Sequence, residues 1–195
     1  MRIVVTGTDT GVGKTIVSAA LARPGAAYVK AAQTGDDDDA ATVARLSGAE
    51  VHTLARYPDP LAPATAARRA NLPPVTPRAI ADFVKTLRHD LVLIEGAGGL
   101  LVPFDEDGGT IADVARMVKA PLIVVARAGL GTLNHTALTV EAIRRRGLAC
   151  LGIVIGSWPR DPDLAATCNL EDLAKIAPLL GRITEGEFTT MEIPA

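Results

Sequence analysis

The chain has 195 residues, of which 48% are hydrophobic, and its formal net charge is −2. This length and composition predict one domain with a single substantial core. Because the net charge is negative, no global positive field attracts a nucleic acid or an anionic membrane, and a small-molecule partner fits better. The two cysteines are too few for the disulfide framework of a small secreted domain.

The amino-terminal residues predict a strand over residues 2–5 rather than a basic region followed by a long apolar stretch. Apolar runs elsewhere all fall short of the roughly 20 residues that span a bilayer. We therefore expect no membrane association and a cytoplasmic protein.

Strand and helix patterns alternate along the chain. Continuous apolar, β-branched runs are typical of strands buried on both faces of a parallel sheet, and they occur at residues 3–6, 90–94, 121–125 and 150–155, with a weaker candidate at 26–30. Helical patterns lie at residues 15–22, 39–46, 77–87, 111–118, 132–146 and 170–176. The alternation predicts an α/β fold in which helices cover both faces of a mostly parallel sheet, in a single domain over residues 1–195.

Two segments lack a clear pattern. Residues 57–77 contain six prolines, which interrupt any long helix, so we predict a surface excursion within the domain. From about residue 159 the pattern weakens, and beyond the last predicted helix we expect an irregular tail.

A glycine-rich loop at residues 7–15 follows the first predicted strand and precedes the first predicted helix. This is the context that a phosphate-binding loop requires. Gly11 and Gly13 allow backbone N–H groups to curl around phosphate oxygens. Lys14 supplies a charge for the outer phosphates, and the Thr15 hydroxyl can ligate Mg²⁺. The loop thus predicts a P-loop NTPase that uses a nucleoside triphosphate with Mg²⁺.

The loop is a variant, because Thr8 stands where the strict pattern has glycine. The competing interpretation is an ordinary glycine turn between a strand and a helix, with Lys14 in solvent. The strand and helix that flank the loop favour the phosphate-binding interpretation.

A carboxylate, Glu95, comes at the end of the predicted strand at 90–94, and Gly96-Ala97-Gly98-Gly99 follows it. Open parallel sheets place their ligands at the carboxyl ends of their strands, so Glu95 is a candidate Mg²⁺ ligand. Glycine-rich turns also follow strands without such a role. The nearby phosphate loop favours the functional interpretation.

The acidic run at residues 36–39 is typical of a solvated loop, yet its last member precedes a helical pattern. Asp39 therefore either caps that helix or joins Thr15 and Glu95 at a Mg²⁺ site, and the residues alone leave both open. Lys30 ends the weaker strand candidate, which directs it towards the same ligand-binding edge, although a lone lysine is usually a surface residue.

Four segments, in the same order, resemble dethiobiotin synthetase: Val5 to Thr15, Val29-Lys30 with Gln33-Thr34-Gly35, Leu93 to Gly99, and Leu130 to His135. The resemblance extends from the first strand to about Trp158. That family is a P-loop homodimer that forms the ureido ring of dethiobiotin from 7,8-diaminononanoate, CO₂ and ATP with Mg²⁺. The resemblance implies this reaction here, through a carbamate and a carbamic-phosphoric anhydride.

The resemblance also implies roles for individual residues. The implied catalytic residues are Lys30, Lys14 and Thr10, and the implied metal ligands are Thr15, Asp39 and Glu95. The implied substrate-binding residues are Lys30, Thr34, Gly131 and Asn134, the last two reaching across the dimer. The implied nucleotide-binding residues are Gly11, Val12, Gly13, Lys14, Thr15, Ile16, Asp39, Glu95, Gly96, Ala97, Gly98, Gly156 and Ser157.

The chain departs from the family pattern at three places. Ala31 follows Lys30 where the family usually has proline, and the first helix reaches the next strand through the short link Arg23-Pro24-Gly25. Gly156 stands where many members present an asparagine to adenine. Because glycine offers no side chain to the base, the resemblance leaves the preferred nucleoside triphosphate open.

Other classes of protein share parts of this pattern. A switch ATPase of the chromosome-partitioning (ParA) or septum-positioning (MinD) group would have its signature lysine at Asp9. An amidotransferase of the cobyrinic acid type needs a glutamine-hydrolysing domain, for which 195 residues leave no room. A metabolite kinase would use Arg68 and Arg69 as lid residues, although an exposed helix face explains them equally.

Overall fold

The computed structural model describes residues 1–193; residues 194 and 195, the end of the predicted tail, lie outside the described residues. Strands of the described chain are β1 (Arg2–Gly7), β2 (Ala27–Lys30), β3 (Gln33–Thr34), β4 (Glu50–Thr53), β5 (Arg56–Tyr57), β6 (Val92–Gly99), β7 (Leu122–Arg127), β8 (Cys150–Trp158) and β9 (Leu179–Thr184). Helices are α1 (Lys14–Leu21), α2 (Asp39–Ser47), α3 (Pro63–Ala70), α4 (Pro77–Thr86), α5 (Ile111–Val118), α6 (Thr132–Arg145) and α7 (Leu164–Ile176).

Seven of these strands form one sheet in the order β4-β2-β6-β1-β7-β8-β9. Every neighbouring pair in it is parallel. The predicted α/β fold with helices around a parallel sheet is therefore confirmed. Strands β3 and β5 form a separate two-stranded ribbon.

Apolar side chains cover the sheet on both faces, which is why its central strands have no polar alternation. One face, with Ile3 and Val5 of β1, packs against α1 and α2. The opposite face, with Val4 of β1, packs against α4 to α7. The sheet is thus the middle layer of three, and its strands all direct their carboxyl ends to the same edge.

The structure adds elements that the sequence pattern did not predict. Strands β4 and β9 are the two outer strands of the sheet, and β9 lies in the predicted irregular tail. Helix α3 lies in the proline-rich segment and begins with Pro63, where the missing N–H and fixed φ of proline suit a helix start. Helix α7 begins at Leu164, six residues before the predicted start.

Within residues 1–193, no helix combines the length and the apolar character needed to cross a bilayer.

Candidate active site

The glycine-rich loop joins β1 to α1 at the carboxyl edge of the sheet, so the amino terminus of α1 opens into the site. Gly13 adopts a left-handed conformation with φ 93° and directly precedes Lys14, the first helical residue. The Nζ of Lys14 donates to the Asp9 carbonyl oxygen at 2.9 Å, which closes the loop on itself. A helix amino terminus with free N–H groups and a nearby lysine attracts phosphate.

Gly156 at the end of β8 lies directly against this loop, backbone to backbone. A Cβ added to Gly13 would lie 2.5 Å from the Gly156 carbonyl oxygen, and one added to Gly156 would lie 2.1 Å from the Val12 carbonyl oxygen. No side chain fits at either position, so the two glycines allow the backbone of β8 to lie in direct contact with the backbone of the loop. The hydroxyl of the next residue, Ser157, donates to Glu185 Oε1 at 2.9 Å.

Lys30 and Glu95 are direct partners in the pairing of β2 with β6, so their side chains project from the same face of the sheet. The Lys30 Nζ lies 2.8 Å from Glu95 Oε1 and 3.3 Å from the Gly96 carbonyl oxygen. Glu95 is 0% exposed and Lys30 is 4% exposed. The sheet register therefore creates a buried ion pair beside the phosphate loop.

Asp39 completes this cluster through its Oδ2 atom, which is in close contact with the Lys30 Nζ. The helix cap that the sequence left as an alternative for Asp39 belongs to its neighbour: Asp38 Oδ1 accepts from the Ala41 N–H at 3.0 Å. Asp39 is the first helical residue, and its carboxylate is directed at the lysine. The capping role of Asp39 is therefore excluded by the geometry of α2.

Helix α1 contacts the same glutamate through two hydroxyl groups. Thr15 Oγ1 donates to Glu95 Oε1 at 3.3 Å, and Ser18 Oγ donates to Glu95 Oε2 at 2.7 Å. Ser18 was not predicted as a site residue from the sequence. Its spacing could have indicated it, because residues 14, 15 and 18 share one face of a helix.

The pKa values of the two lysines shift in opposite directions. Burial lowers the pKa of Lys14, and the Glu95 carboxylate offsets this only in part. Burial acts in the same direction on Lys30, but the Glu95 and Asp39 carboxylates outweigh it and raise the pKa of Lys30. Lys30 consequently remains a cation at neutral pH although it is almost fully buried.

The oxygen atoms around Lys30 fit a magnesium ion by their chemistry. Thr15, Asp39 and Glu95 offer a hydroxyl and two carboxylates, which are hard oxygen ligands. Magnesium commonly takes one or two carboxylates and completes its shell with phosphate oxygens and water. In residues 1–193 no cluster of three or more His, Cys, Asp or Glu side chains could hold a metal ion.

A cavity of about 740 Å³ unites these groups, a size within the range of small-molecule sites. The predicted site residues that line it are Thr10, Gly11, Gly13, Lys14, Thr15, Ile16, Lys30, Thr34, Asp39, Glu95, Ala97 and Gly98. The remaining lining residues were not predicted as site residues and are Ala32, Gln33, Asp37, Pro60, Leu61, Ala62, Pro63 and Val102. The proline-rich segment, which the sequence predicted only as a surface excursion, thus contributes one wall of the cavity through residues that include Pro60 and Pro63.

Six predicted site residues lie outside this lining. Val12 is buried under the loop, Gly96 packs against Ile111, and Gly156 and Ser157 lie behind the loop at the end of β8. Gly131 and Asn134 are exposed at the start of α6 and do not line the cavity of their own chain. The structure therefore brings twelve of the predicted residues together in one site and leaves these six around it.

The parallel sheet, the glycine loop at a helix amino terminus and the adjoining lysines and carboxylates define a P-loop nucleotide-dependent protein. In agreement, residues 1–189 match a family model described as an AAA domain.

Curated relatives narrow this class. The ATP-dependent dethiobiotin synthetase BioD of Saccharopolyspora erythraea is 59% identical over 94% of this chain and 87% of its own length. The enzymes of the same name from Streptomyces coelicolor and Mycobacteroides abscessus are 55% and 49% identical, over 94% and 97% of this chain and 84% and 89% of their own lengths. The chain belongs to the ATP-dependent dethiobiotin synthetase family.

Solved structures with a similar fold include a plasmid partition protein of Borrelia burgdorferi bound to AMPPNP, with a TM-score of 0.62, 14% identity, and coverage of 95% of this chain and 87% of that one. The septum site-determining protein MinD of Pyrococcus horikoshii with Mg-ADP has a TM-score of 0.57 and 20% identity, with coverage of 94% and 81%. At such identities the likeness concerns the fold alone.

Proposed function

We propose that this chain is an ATP-dependent dethiobiotin synthetase, which closes the ureido ring of dethiobiotin from 7,8-diaminononanoate, CO₂ and a nucleoside triphosphate. The observation that carries the proposal is the position of Lys30. Its charged Nζ lies at the end of β2, 2.8 Å from Glu95 Oε1, in the cavity of about 740 Å³ that the phosphate loop also lines. Family membership supplies the reaction, and the cavity supplies groups suited to it.

Each step of the reaction forms or moves a negative charge near the two lysines. One amine of the substrate attacks CO₂ to give a carbamate and loses a proton. A carbamate oxygen then attacks the γ-phosphorus, and the bond from that phosphorus to the β–γ bridging oxygen breaks. The second amine attacks the carbamoyl carbon and loses a proton, the bond from that carbon to the phosphate oxygen breaks, and the ring closes with release of phosphate.

The residues suit these steps by position and charge. Lys14, at the start of α1, supplies a charge for the outer phosphates, and Lys30 would hold the carbamate beside them for in-line attack. Thr10 and Thr34 both line the cavity, and their hydroxyls are the groups that would contact the carbamate and the substrate. Thr15, Asp39 and Glu95 would hold Mg²⁺, which would neutralise part of the phosphate charge.

The direct test is to incubate the protein with diaminononanoate, bicarbonate, Mg²⁺ and each nucleoside triphosphate in turn, and to measure dethiobiotin by mass. We expect product with ATP. Because Gly156 offers no side chain to the base, the same series also determines which nucleoside triphosphate is preferred. Lys30→Ala should abolish product while nucleotide binding is retained. Absence of product with every nucleotide, or full production by Lys30→Ala, would contradict the assignment.

A homodimer with shared sites is part of this proposal. Leu130 is 94% exposed just before α6, and Leu138 is 57% exposed on α6 one turn after the exposed Asn134. Exposed leucines around the start of this helix would be covered in an interface. A second copy seated on it can bring Asn134 to the far end of the neighbouring substrate.

Sharing of the site can be tested by mixing two inactive variants. Lys30→Ala and Asn134→Ala each disable both sites of their own homodimer. In a mixed dimer, one site receives both substitutions and the other receives neither, so mixing should restore about a quarter of the wild-type activity. If each subunit holds a complete site, the mixture stays inactive.

The kinase and switch alternatives have less support. Arg68 and Arg69 form exposed ion pairs with Glu106 and Asp59, as an ordinary helix face does. Asp9, at the position of the switch lysine, pairs with Arg127 at 2.9 Å. The cytoplasmic location stays a prediction.

A further inference from the structure

Ser18 is a fully buried residue of α1 whose hydroxyl leaves its own helix to contact the sheet. A serine inside a helix commonly donates to the carbonyl four residues earlier. Ser18 Oγ donates instead to Glu95 Oε2 at 2.7 Å. Hydrogen bonds to an ionised carboxylate are stronger than those between neutral groups, so this contact holds one oxygen of Glu95 firmly.

The two oxygens of Glu95 therefore have different surroundings. Oε1 lies 2.8 Å from Lys30 Nζ and 3.3 Å from Thr15 Oγ1, and both of these residues line the cavity. Oε2 is bound by Ser18, which does not line the cavity. With Oε2 fixed, rotation of the carboxylate is restricted, and Oε1 stays directed at the groups around the cavity.

We propose that Ser18 is a positioning residue for the metal site: by holding Oε2, it presents Oε1 of Glu95 to the divalent cation that accompanies the nucleotide. The inference rests on the proposed function in taking Glu95 as a Mg²⁺ ligand. Lys14, Thr15 and Ser18 share one face of α1. A single helix thus sets the phosphate lysine, the hydroxyl ligand and the direction of the carboxylate.

Binding of Mn²⁺ in the presence of ADP, measured by electron paramagnetic resonance, tests this without any turnover. Ser18→Ala should bind Mn²⁺ about tenfold more weakly, the size expected for the loss of one hydrogen bond to a charged group. Ser47→Ala is the matched control, because Ser47 Oγ donates to the Val43 carbonyl oxygen within α2, and its Mn²⁺ affinity should equal that of the wild type.

Steady-state kinetics separate positioning from a merely structural role. Ser18→Ala should need about ten times more Mg²⁺ for half-maximal rate, whereas kcat at saturating Mg²⁺ stays close to that of the wild type. A general loss of folded protein would instead lower kcat at every Mg²⁺ concentration. If Ser18→Ala fails to fold, Ser18→Cys keeps a small side chain with a much weaker donor and takes its place.

Unchanged Mn²⁺ affinity in a folded Ser18 variant would overturn the inference, even if the wild type makes dethiobiotin. Failure of the wild type to make dethiobiotin would refute the proposed function, yet the Mn²⁺ comparison would still decide the role of Ser18. The two results are therefore distinguishable.

Discussion

Replacing Lys30 by methionine removes the only positive charge in direct contact with both Asp39 and Glu95 among residues 1–193. Methionine retains most of the length of the side chain but cannot pair with a carboxylate. Removing one partner of a buried ion pair costs about 3–5 kcal/mol, because the other charge is left uncompensated. Asp39 is 22% exposed and can be hydrated, whereas Glu95 is 0% exposed, so we expect a loss of about 3 kcal/mol.

The loss should depend on the metal. In EDTA, a chain of this size should lose roughly 6–12 °C in Tm, at about 2–4 °C per kcal/mol. With Lys30 absent, Mg²⁺ can compensate both carboxylates, and a ligand at 100 times its Kd stabilises by about 2.7 kcal/mol. The variant should therefore regain most of its stability in Mg²⁺, while the wild type changes little.

Thermal and urea unfolding with EDTA or with Mg²⁺ measures both effects. Lys85→Met is the control, because Lys85 pairs with the exposed Asp82 at 3.3 Å, and loss of such a pair changes stability by less than about 1 kcal/mol. An equal loss of stability in Lys30→Met with and without Mg²⁺ would refute this account of the two carboxylates. Stabilisation of the wild type by Mg²⁺ to the same extent as the variant would refute it too.

Three further predictions concern the surroundings of the site. Gly156→Ala places a Cβ 2.1 Å from a carbonyl oxygen of the phosphate loop. Calorimetry should therefore show weaker ATP binding, and urea unfolding should show a free energy of unfolding lower by about 1–3 kcal/mol. Unchanged values would show that the loop adjusts freely. Thr15→Val removes the hydroxyl that lies 3.3 Å from Glu95 Oε1, and we expect a higher Mg²⁺ requirement with an intact fold, whereas an unchanged requirement would exclude Thr15 as a ligand. Burial raises the pKa of Cys150, so a thiol reagent at pH 8 should label the exposed Cys168 first and Cys150 only as the pH rises; equal labelling at pH 8 would contradict this order.

The interior of the sheet could be predicted from the sequence because strands buried on both faces leave an unbroken apolar run. Strands β1, β7 and β8 have this signature, and the structure places each of them between two neighbours. The outer strands β4 and β9 have only one neighbour each. In β4, Glu50 is exposed and His52 is half-buried, so no apolar run marks it. Residues 50–53 form a strand because their backbone pairs with β2. Such backbone pairing does not require a particular side-chain pattern, so the sequence does not reveal it.

The candidate site was predictable to the extent that it follows from strand ends. Lys30 and Glu95 each end an apolar run, and a parallel sheet brings such ends to one edge. The sequence did not predict that Lys30 itself lies between the two carboxylates expected to bind metal. That arrangement depends on the register of β2 against β6 and on the start of α2, which are long-range features.

The position of Lys30 between Asp39 and Glu95 suits a residue that must be charged when its substrate arrives. A lysine this deeply buried would tend to lose its proton, because burial penalises the ammonium form. The two carboxylates prevent this and raise its pKa. A divalent cation held by the same carboxylates would repel the Lys30 ammonium, which would favour contact of that ammonium with a new anion in the cavity. A carbamate is such an anion, so the metal that accompanies the nucleotide would also make Lys30 available to the second substrate. Binding of the metal and binding of the carbamate are then coupled through Asp39 and Glu95. Lys30→Met removes the ammonium that links the two events, so in this variant the coupling must disappear.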